Sequence, residues 1–274
     1  MQSTKYIIFI FFITILNSNI NFSKELNNVN IYIQNRFRII ETNGIPSHEI
    51  PQIKYNKKLK VKQQKIVASI PLLPKESSKP IDIENFVFGI TKTGILIDGT
   101  PIRYWLDKPA LNWEYNYFFR KKEVDKYNGY LNKKGEYFYK GNPKANNNRK
   151  QTLIGYAADG FPIYNNIILK NKKIKKLKSS YILKKGVRIS GPNGKYSGQF
   201  KQDFIYVKNS GDLDRCNGRY GITKEYKKGT YYYVLTDNYP FIPVCFNGIP
   251  NKSFSFLKIQ SQKPKKQFMR TSSY

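Results

Sequence analysis

Short apolar runs separated by glycine- and proline-rich turns make up most of this chain. The clearest are residues 86–97, 153–164 and 230–237, which are rich in Ile, Val, Phe and Tyr. Such residues favour extended strands, and the dense Gly/Pro punctuation with few helix-capping signals disfavours helices. Partial alternation over residues 29–40 predicts one further strand. The pattern predicts a mainly β protein: a single β-rich domain, sandwich- or barrel-like, with long loops and little helix.

The sequence LIGYAADGFPIY, residues 153–164, combines a tight turn with aromatic flanks. Asp159-Gly160 is a strong turn signal, because glycine accepts positive φ and aspartate can hydrogen-bond its own backbone. A carboxylate in a tight turn with apolar surroundings is a candidate binding or catalytic group. Turn statistics give equal weight to the alternative, in which Asp159 only caps a hairpin turn.

The two ends of the chain predict export and a polar tail. Residues 1–23 contain an early lysine, an apolar run and then polar residues, which is the layout of a secretory signal peptide. The apolar run is shorter than the roughly 20 residues that a membrane span needs. We therefore expect a secreted or periplasmic protein with no transmembrane span in the mature chain. Residues 24–260 form the predicted β-rich domain and residues 261–274 a basic, disordered tail. No repeat stands out at any fixed period.

Lysine dominates the charge of the chain. The sequence holds 48 basic and 18 acidic residues, for a net charge of +30. An AT-rich genome accounts for much of the lysine, since Asn, Ile, Tyr and Phe are abundant too. The surface still attracts polyanions and negatively charged membranes. Base-specific nucleic-acid recognition relies more on arginine, so we expect as partner an anionic extracytoplasmic ligand or envelope polymer. The basic run at residues 170–178 is interpreted as a solvated edge or loop.

The two cysteines, Cys216 and Cys245, favour a disulfide in an exported protein. The alternative, a pair of metal thiolates, lacks a neighbouring histidine. The loop GDLDRCNG around the first cysteine offers oxygen donors at Asp212, Asp214 and Asn217, which are candidate Ca²⁺ ligands. The loop lacks the EF-hand spacing and the bidentate glutamate, and capping of backbone N–H groups is the alternative role. We expect no cofactor, with Ca²⁺ as the alternative.

Seven sequence blocks carry a resemblance to a known family. They are NGIPSH (43–48), FGITKTGILIDG (88–99), GEYFYKG (135–141), IGYAADGFPIY (154–164), SGPNGKYSGQFKQDFIYV (190–207), GDLDRCNGRYG (211–221) and GTYYYVLTDNYPFIPVCFNG (229–248). In this order they resemble the YHYH-domain family of exported proteins, and DGFPIY and GDLDxCNG are the most specific parts. The resemblance implies an exported domain and supplies no established reaction.

The chain departs from that family at its name motif. The four Tyr-His-Tyr-His positions read Tyr137, Phe138, Tyr139 and Lys140, and His48 is the only histidine. Residues i and i+2 of a strand share a face about 7 Å apart, so the family motif presents two neighbouring imidazoles, suited to a transition metal or to acid–base chemistry. Phe138 has no lone pair, and an ammonium repels a metal ion. We expect the imidazole site to be absent; Lys140 acting as a desolvated base is the alternative.

The residues support two functional hypotheses. The first is a non-catalytic extracytoplasmic binding protein. Its predicted binding residues are Tyr137, Tyr139, Lys140 and Asp159. The second is a carboxylate- or cation-dependent hydrolase acting on a glycan or other envelope polymer. Its catalytic candidates are Asp159, Asp237 and His48. The sequence contains no G-x-S-x-G elbow, Walker loop, Rossmann fingerprint, H-E-x-x-H or C-x-x-C motif.

Overall fold

Strands dominate the described part of the chain. The computed structural model describes residues 26–50, 60–100, 104–116, 118, 124–144, 150–170, 173–255 and 257. The predicted signal peptide (1–23) and tail (261–274) lie outside the described residues. Helix is confined to short turns, so the predicted mainly β, single-domain fold is confirmed.

The described residues form seventeen strands and three short 3-10 helices, and residues 253–255 and 257 are helical as well. The strands are β1 (Val29–Gln34), β2 (Phe37–Thr42), β3 (Ile66–Pro71), β4 (Glu76–Asp82), β5 (Gly89–Thr91), β6 (Leu96–Ile97), β7 (Gly129–Leu131), β8 (Tyr137–Tyr139), β9 (Leu153–Ala157), β10 (Pro162–Asn165), β11 (Ile167–Lys170), β12 (Lys173–Lys176), β13 (Tyr181–Leu183), β14 (Phe204–Tyr206), β15 (Gly218–Gly221), β16 (Thr230–Leu235) and β17 (Cys245–Gly248). The 3-10 helices are Trp105–Asp107, Pro109–Leu111 and Lys201–Asp203.

An open eight-stranded sheet forms the centre of the fold. Its order is β15-β16-β10-β9-β5-β6-β8-β7. The β10–β16 and β6–β8 pairs are parallel and the others are antiparallel. The edge strands β15 and β7 do not pair with each other in the described residues, so of the two predicted forms the barrel is wrong. A second sheet, β1-β2-β3, adds Ile40, Ala68 and Ile70 to the buried core.

Two similar hairpins, β5–β6 and β9–β10, lie at the middle of the eight-stranded sheet. Each carries two glycines at matching places, Gly89 and Gly94 in the first and Gly155 and Gly160 in the second. The second glycine of each has positive φ, 78° and 95°, which a tight turn requires and glycine tolerates. Its N–H closes the turn in both hairpins, at 3.0 Å and 2.9 Å.

The two hairpins are related by an approximate two-fold axis. They meet through β5 and β9, where Gly89 lies opposite Ala157 and Thr91 lies opposite Gly155. A two-fold rotation that exchanges the hairpins puts Gly155 in the place of Gly89 and Ala157 in the place of Thr91. The pair Gly89–Ala157 then becomes the pair Gly155–Thr91, so the register is unchanged. The axis therefore passes through the central pair, and the sheet has two equivalent halves.

The outer strands repeat as well, beginning with an Asp-x-x-Asn-Gly turn at residues 125–129 and 214–218. In both turns the aspartate Oδ1 accepts the glycine N–H, at 2.8 Å and 2.9 Å. Its Oδ2 accepts a tyrosine hydroxyl of the next strand, Tyr137 at 2.6 Å and Tyr231 at 2.9 Å. The asparagine has positive φ in each, 63° and 57°. The two turns thus hold equivalent tyrosines, Tyr137 in one half of the sheet and Tyr231 in the other.

The register of the parallel pairs completes the correspondence. Ile97 lies opposite Tyr139, and Ile163 lies opposite Tyr233. The Tyr-Phe-Tyr of β8 therefore matches the three tyrosines at the start of β16. The expectation of no internal repeat is wrong for the structure. The repeat has no fixed period because β11–β14 lie between the hairpin and the Asp-x-x-Asn-Gly turn in the second half only.

The glycine of each Asp-x-x-Asn-Gly turn leaves space for the tyrosine that its aspartate binds. A methyl group at Gly129 would overlap the Tyr137 phenol, and one at Gly218 would overlap the Tyr231 phenol. We expect Gly129→Ala and Gly218→Ala each to lower the free energy of unfolding by about 2–3 kcal/mol, the usual cost of overpacking. Urea unfolding measures the change.

A glycine with an open surround gives the control for this prediction. Gly186 has a φ of 91° and no atom within reach of an added methyl group. Gly186→Ala should therefore show only the backbone strain, about 1 kcal/mol. Losses at Gly129 and Gly218 no larger than that would contradict the overlap.

Candidate functional site

The name-motif strand β8 points its two tyrosine hydroxyls at one face of the sheet. The Tyr137 hydroxyl donates to Asp125 Oδ2 at 2.6 Å, and the Tyr139 hydroxyl lies 2.8 Å from His48 Nε2. Burial, assisted by the negative charge of Asp125, raises the pKa of both phenols far above neutral pH. Both hydroxyls therefore keep their hydrogens and remain donors.

The single histidine, His48, lies among tyrosines on this face. Its ring centroid is 4.0 Å from that of Tyr127, 5.9 Å from Tyr137 and 6.1 Å from Tyr139. His48 Nδ1 lies 3.1 Å from the Glu49 carbonyl oxygen, which can only accept. In the neutral ring Nδ1 therefore carries the hydrogen, and Nε2 accepts from the Tyr139 hydroxyl. Both ring nitrogens are engaged by protein groups.

The opposite face of the strand carries Phe138 and the buried Lys140, which is 3% exposed. The Lys140 ammonium donates to Asp98 Oδ2 at 2.9 Å and to the Thr100 carbonyl at 3.0 Å. The rings of Tyr130 and Phe138 lie 5.8 Å and 6.0 Å from it. An ammonium that donates to a carboxylate has no lone pair to offer. A buried ion pair thus fills the second imidazole position of the motif, a geometry that fits a structural cation rather than a base.

Asp159 is fully buried in the second half of the sheet, away from β8. Its carboxylate accepts from the Tyr233 hydroxyl at 2.5 Å and from the N–H groups of Gly248 at 2.9 Å and Phe161 at 3.3 Å. Burial raises the pKa of Asp159 to about 6, against the lowering effect of these hydrogen bonds. Its bond to the N–H two residues ahead is the predicted turn cap. The side chain links the turn to β16 and β17.

Only part of the predicted binding set comes together. Tyr137 and Tyr139 lie in β8, Lys140 follows directly after this strand with its side chain on the opposite face, and His48 joins the tyrosine face. Asp159 lies in the other half of the sheet, where it accepts from Tyr233, the counterpart of Tyr139. Asp237 is half-exposed, forms an ion pair with Lys176 at 3.0 Å and accepts from Asn166 at 3.1 Å. The three catalytic candidates therefore do not meet.

A cavity of about 360 Å³ opens beside His48 and Tyr139. The hairpin turn β5–β6, the start of β9 and the segment before β9 form its wall. The lining residues are Ser47, His48, Thr91, Lys92, Thr93, Tyr139, Pro143, Lys150, Thr152, Leu153 and Ile154. We call it the His48 cavity. It lies on the tyrosine face of the name-motif strand.

The equivalent space in the second half is filled by β17. The Asn247 N–H donates to the Tyr233 hydroxyl at 2.6 Å, in the place where His48 meets Tyr139. Phe246 stacks on Phe88 with ring centroids 5.4 Å apart. The predicted Cys216–Cys245 disulfide is confirmed, and it ties β17 to the turn before β15. The two halves thus differ at the tyrosine site: β17 occupies it in one half, and a cavity adjoins it in the other.

The three calcium candidates are each bound by other parts of the protein. Asp212 forms an ion pair with Lys175, Asp214 belongs to the Asp-x-x-Asn-Gly turn, and Asn217 donates to the backbone of β16. Within the described residues, no group of three or more His, Cys, Asp or Glu side chains is placed to hold a metal ion. Calcium binding at this loop stays a prediction.

A second, larger cleft of about 670 Å³ lies behind the Lys140–Asp98 pair. Gly99 and Thr100, which follow Asp98 in the chain, form part of its wall. Acidic and polar groups line much of the rest, among them Asp82, Glu84, Asn85, Tyr104, Asn112, Glu114, Lys201 and Gln202. Burial, then the charges of Glu114 and Glu84, raises the pKa of Tyr104. Glu84, Tyr104 and Glu114 all line this cleft.

Sequence reasoning missed the partners that hold the name-motif strand, Asp125 and Asp98. Asp98 lies 42 residues before Lys140 and Asp125 lies 12 before Tyr137. One signal was available for Asp125, because Asp-x-x-Asn-Gly occurs twice and each copy precedes a Tyr-x-Tyr segment. No local pattern marks Asp98, since the contact arises from the parallel pairing of β6 with β8.

Fold and site together define a disulfide-bonded β domain built on two equivalent tyrosine strands. A family model described as YHYH protein matches residues 67–248, and the chain belongs to this family. No curated protein and no solved structure matches the chain. Among the described residues no helix has the length and apolar character to cross a membrane.

Proposed function

We propose that this protein is a non-catalytic binding protein that acts outside the cytoplasm and holds a small anionic ligand in the His48 cavity. The supporting observation is the difference between the two halves of the sheet, in which β17 occupies the space beside Tyr233 and a cavity adjoins Tyr139. A volume of about 360 Å³ lies in the range of small-ligand sites. The Cys216–Cys245 disulfide is compatible with an oxidising compartment.

The charge of the cavity favours an anion. Lys92 lies in the hairpin turn, where its N–H donates to the Ile154 carbonyl at 2.9 Å, and Ala158 makes the matching bond in the filled half. Lys150 is held at the rim by its carbonyl, which accepts from Asn165 Nδ2 at 2.9 Å. Both lysine side chains are exposed and line the cavity. Two cations on fixed backbone positions recognise a carboxylate, sulfate or phosphate group.

The groups around the cavity support binding rather than turnover. Both ring nitrogens of His48 are engaged by Glu49 and Tyr139, and Lys140 on the far face donates to Asp98. General acid–base catalysis needs a group that can exchange a proton with the substrate. The hydrogens of His48, Tyr139 and Lys140 are instead engaged in hydrogen bonds within the protein.

Titration of the purified protein with sulfate tests this proposal, because sulfate keeps its charge across the working pH range. We expect saturable binding in calorimetry and a loss of about tenfold in affinity for each lysine in Lys92→Gln/Lys150→Gln, the usual strength of a hydrogen bond to a charged group.

The excess lysine of the chain makes a matched control necessary. Lys227 and Lys228 are exposed and lie outside the cavity lining, so Lys227→Gln/Lys228→Gln makes the same change in net charge. Its affinity should stay within twofold of the unmodified protein. Equal losses of sulfate affinity in the two double variants would show that net charge alone explains the effect. Sulfate binding that does not saturate would contradict a specific site in the cavity.

The larger cleft supports a second function, hydrolysis of a glycan or other envelope polymer. Glu84 and Glu114 both line a cleft of about 670 Å³, and glycan hydrolysis uses paired carboxylates. In this second proposal the catalytic carboxylates are Glu84 and Glu114 rather than Asp159 and Asp237. Release of reducing ends from an isolated envelope glycan, lost in Glu84→Gln, distinguishes this function from binding alone.

A further inference from the structure

The β11–β12 hairpin presents an apolar pair at its tip. Leu169 and Ile174 lie directly opposite each other across the two strands. They are 70% and 62% exposed. The two strands pair only with each other in the described residues. The basic run interpreted as a solvated edge or loop is therefore a two-stranded ribbon with an outward hydrophobic contact.

The base of this hairpin is fixed to the body of the protein. The Leu177 N–H donates to the Asn166 carbonyl at 2.7 Å. Lys176 pairs with Asp237 at 3.0 Å, and Lys175 pairs with Asp212. The nearby carboxylates are thus matched by lysines at the base.

Positive charge surrounds the apolar pair. The sequence between Leu169 and Ile174 reads Lys-Asn-Lys-Lys, and no acidic residue occurs from 165 to 178. Lys173 is exposed beside the pair. An aliphatic pair within a cluster of lysines is the combination that binds an anionic lipid surface, where apolar side chains enter the headgroup boundary and lysines meet the phosphates.

We propose that the β11–β12 hairpin docks this protein on an anionic phospholipid membrane. Leu169 and Ile174 enter the interface, and Lys173 beside them binds the lipid phosphates. The apolar pair favours lipid over a soluble polyanion, since a polyanion attracts lysine and gains nothing from exposed Leu and Ile. This proposal stands independently of the His48 cavity.

Co-sedimentation of the purified full chain with vesicles tests the proposal. The vesicles contain equal parts of phosphatidylcholine and phosphatidylglycerol, and phosphatidylcholine vesicles serve as the neutral reference. We expect Leu169→Ser/Ile174→Ser to lower the partition coefficient on the anionic vesicles about tenfold. Lys173→Gln should lower it by about fivefold at low salt, since each lysine near an anionic surface contributes about 1 kcal/mol. Neither change touches the ion pairs at the base, and circular dichroism verifies the fold.

Two matched controls separate the hairpin from the rest of the surface. Ile182 and Ile205 form another cross-strand apolar pair, 43% and 48% exposed, on β13–β14. Ile182→Ser/Ile205→Ser should leave the partition coefficient within twofold of the unmodified protein. Lys227→Gln should do the same for charge.

Heparin, a soluble polyanion, provides the last comparison. The Leu169→Ser/Ile174→Ser variant should bind heparin as the unmodified protein does while losing vesicle binding. Full vesicle binding by this variant would overturn the proposal and leave a polyanion patch. Equal losses in the hairpin variants and their matched controls would overturn it too.

Discussion

Replacing Lys140 with methionine is expected to lower the free energy of unfolding by about 4 kcal/mol, the usual result of removing one partner from a buried ion pair. The side chains of Lys140 and Asp98 are 3% and 11% exposed, so water gives little compensation. Methionine keeps the length of the side chain and removes the charge. Chemical denaturation at neutral pH measures the loss.

The control for Lys140→Met is a second change at its partner. In Lys140→Met/Asp98→Asn the neutral amide keeps the shape of the carboxyl and no longer carries an uncompensated charge. This double variant should regain more than half of the lost stability. A loss below 1 kcal/mol in Lys140→Met alone would show that the ion pair is not what stabilises the strand.

The second large effect is a fall in stability with rising pH that depends on Asp159. Burial raises the pKa of Asp159 to about 6 in the folded protein, from 3.8. The folded state therefore holds a proton that the unfolded state has lost between pH 4 and 6. The free energy of unfolding should fall by about 3 kcal/mol as pH rises through this window. The stability difference between the unmodified protein and Asp159→Asn, measured from pH 4 to 8, isolates this contribution.

A surface carboxylate serves as the comparison. Asp237 has a side chain that is 45% exposed, so Asp237→Asn should change the free energy of unfolding at pH 7 by no more than about 0.5 kcal/mol, as is usual for a surface substitution. Parallel stability curves for Asp159→Asn and the unmodified protein would mean that the Asp159 carboxyl titrates alike in the folded and unfolded states.

Local turn chemistry predicted the central hairpins, and it failed where a turn residue was overlooked. Gly94 and Gly160 mark turns that the sequence shows directly. Residues 29–40, predicted as one strand, form β1 and β2 instead, because Asn35 adopts a φ of 54° and reverses the chain. Asparagine tolerates this left-handed conformation better than most residues, so the signal was present but outweighed by the surrounding alternation.

The sequence predicted which residue types stand in the name motif, but it did not predict which residues they contact. The absence of imidazoles at Phe138 and Lys140 follows from the sequence itself. The Lys140–Asp98 pair and the His48–Tyr139 bond join segments 42 and 91 residues apart, so only tertiary packing brings them together. Asp159 illustrates the same limit: the sequence showed its turn, and burial beneath β17 decided its chemistry.

The two-fold arrangement of the large sheet bears on how such proteins arise and how their relatives are compared. Each half of the sheet is a four-stranded unit, and the two units meet through β5 and β9. Two identical copies of such a unit, paired in this way, would have the same open space beside the last tyrosine of each tyrosine strand. In a tandem fusion of the two units, β17 closes one of the vacancies, where the Cys216–Cys245 disulfide holds it, and the other stays open beside His48. In a related sequence the Tyr-x-Tyr segment should accordingly be searched for twice, once after each Asp-x-x-Asn-Gly turn. The binding site should then be searched for at the segment whose tyrosine site is not covered by a strand such as β17.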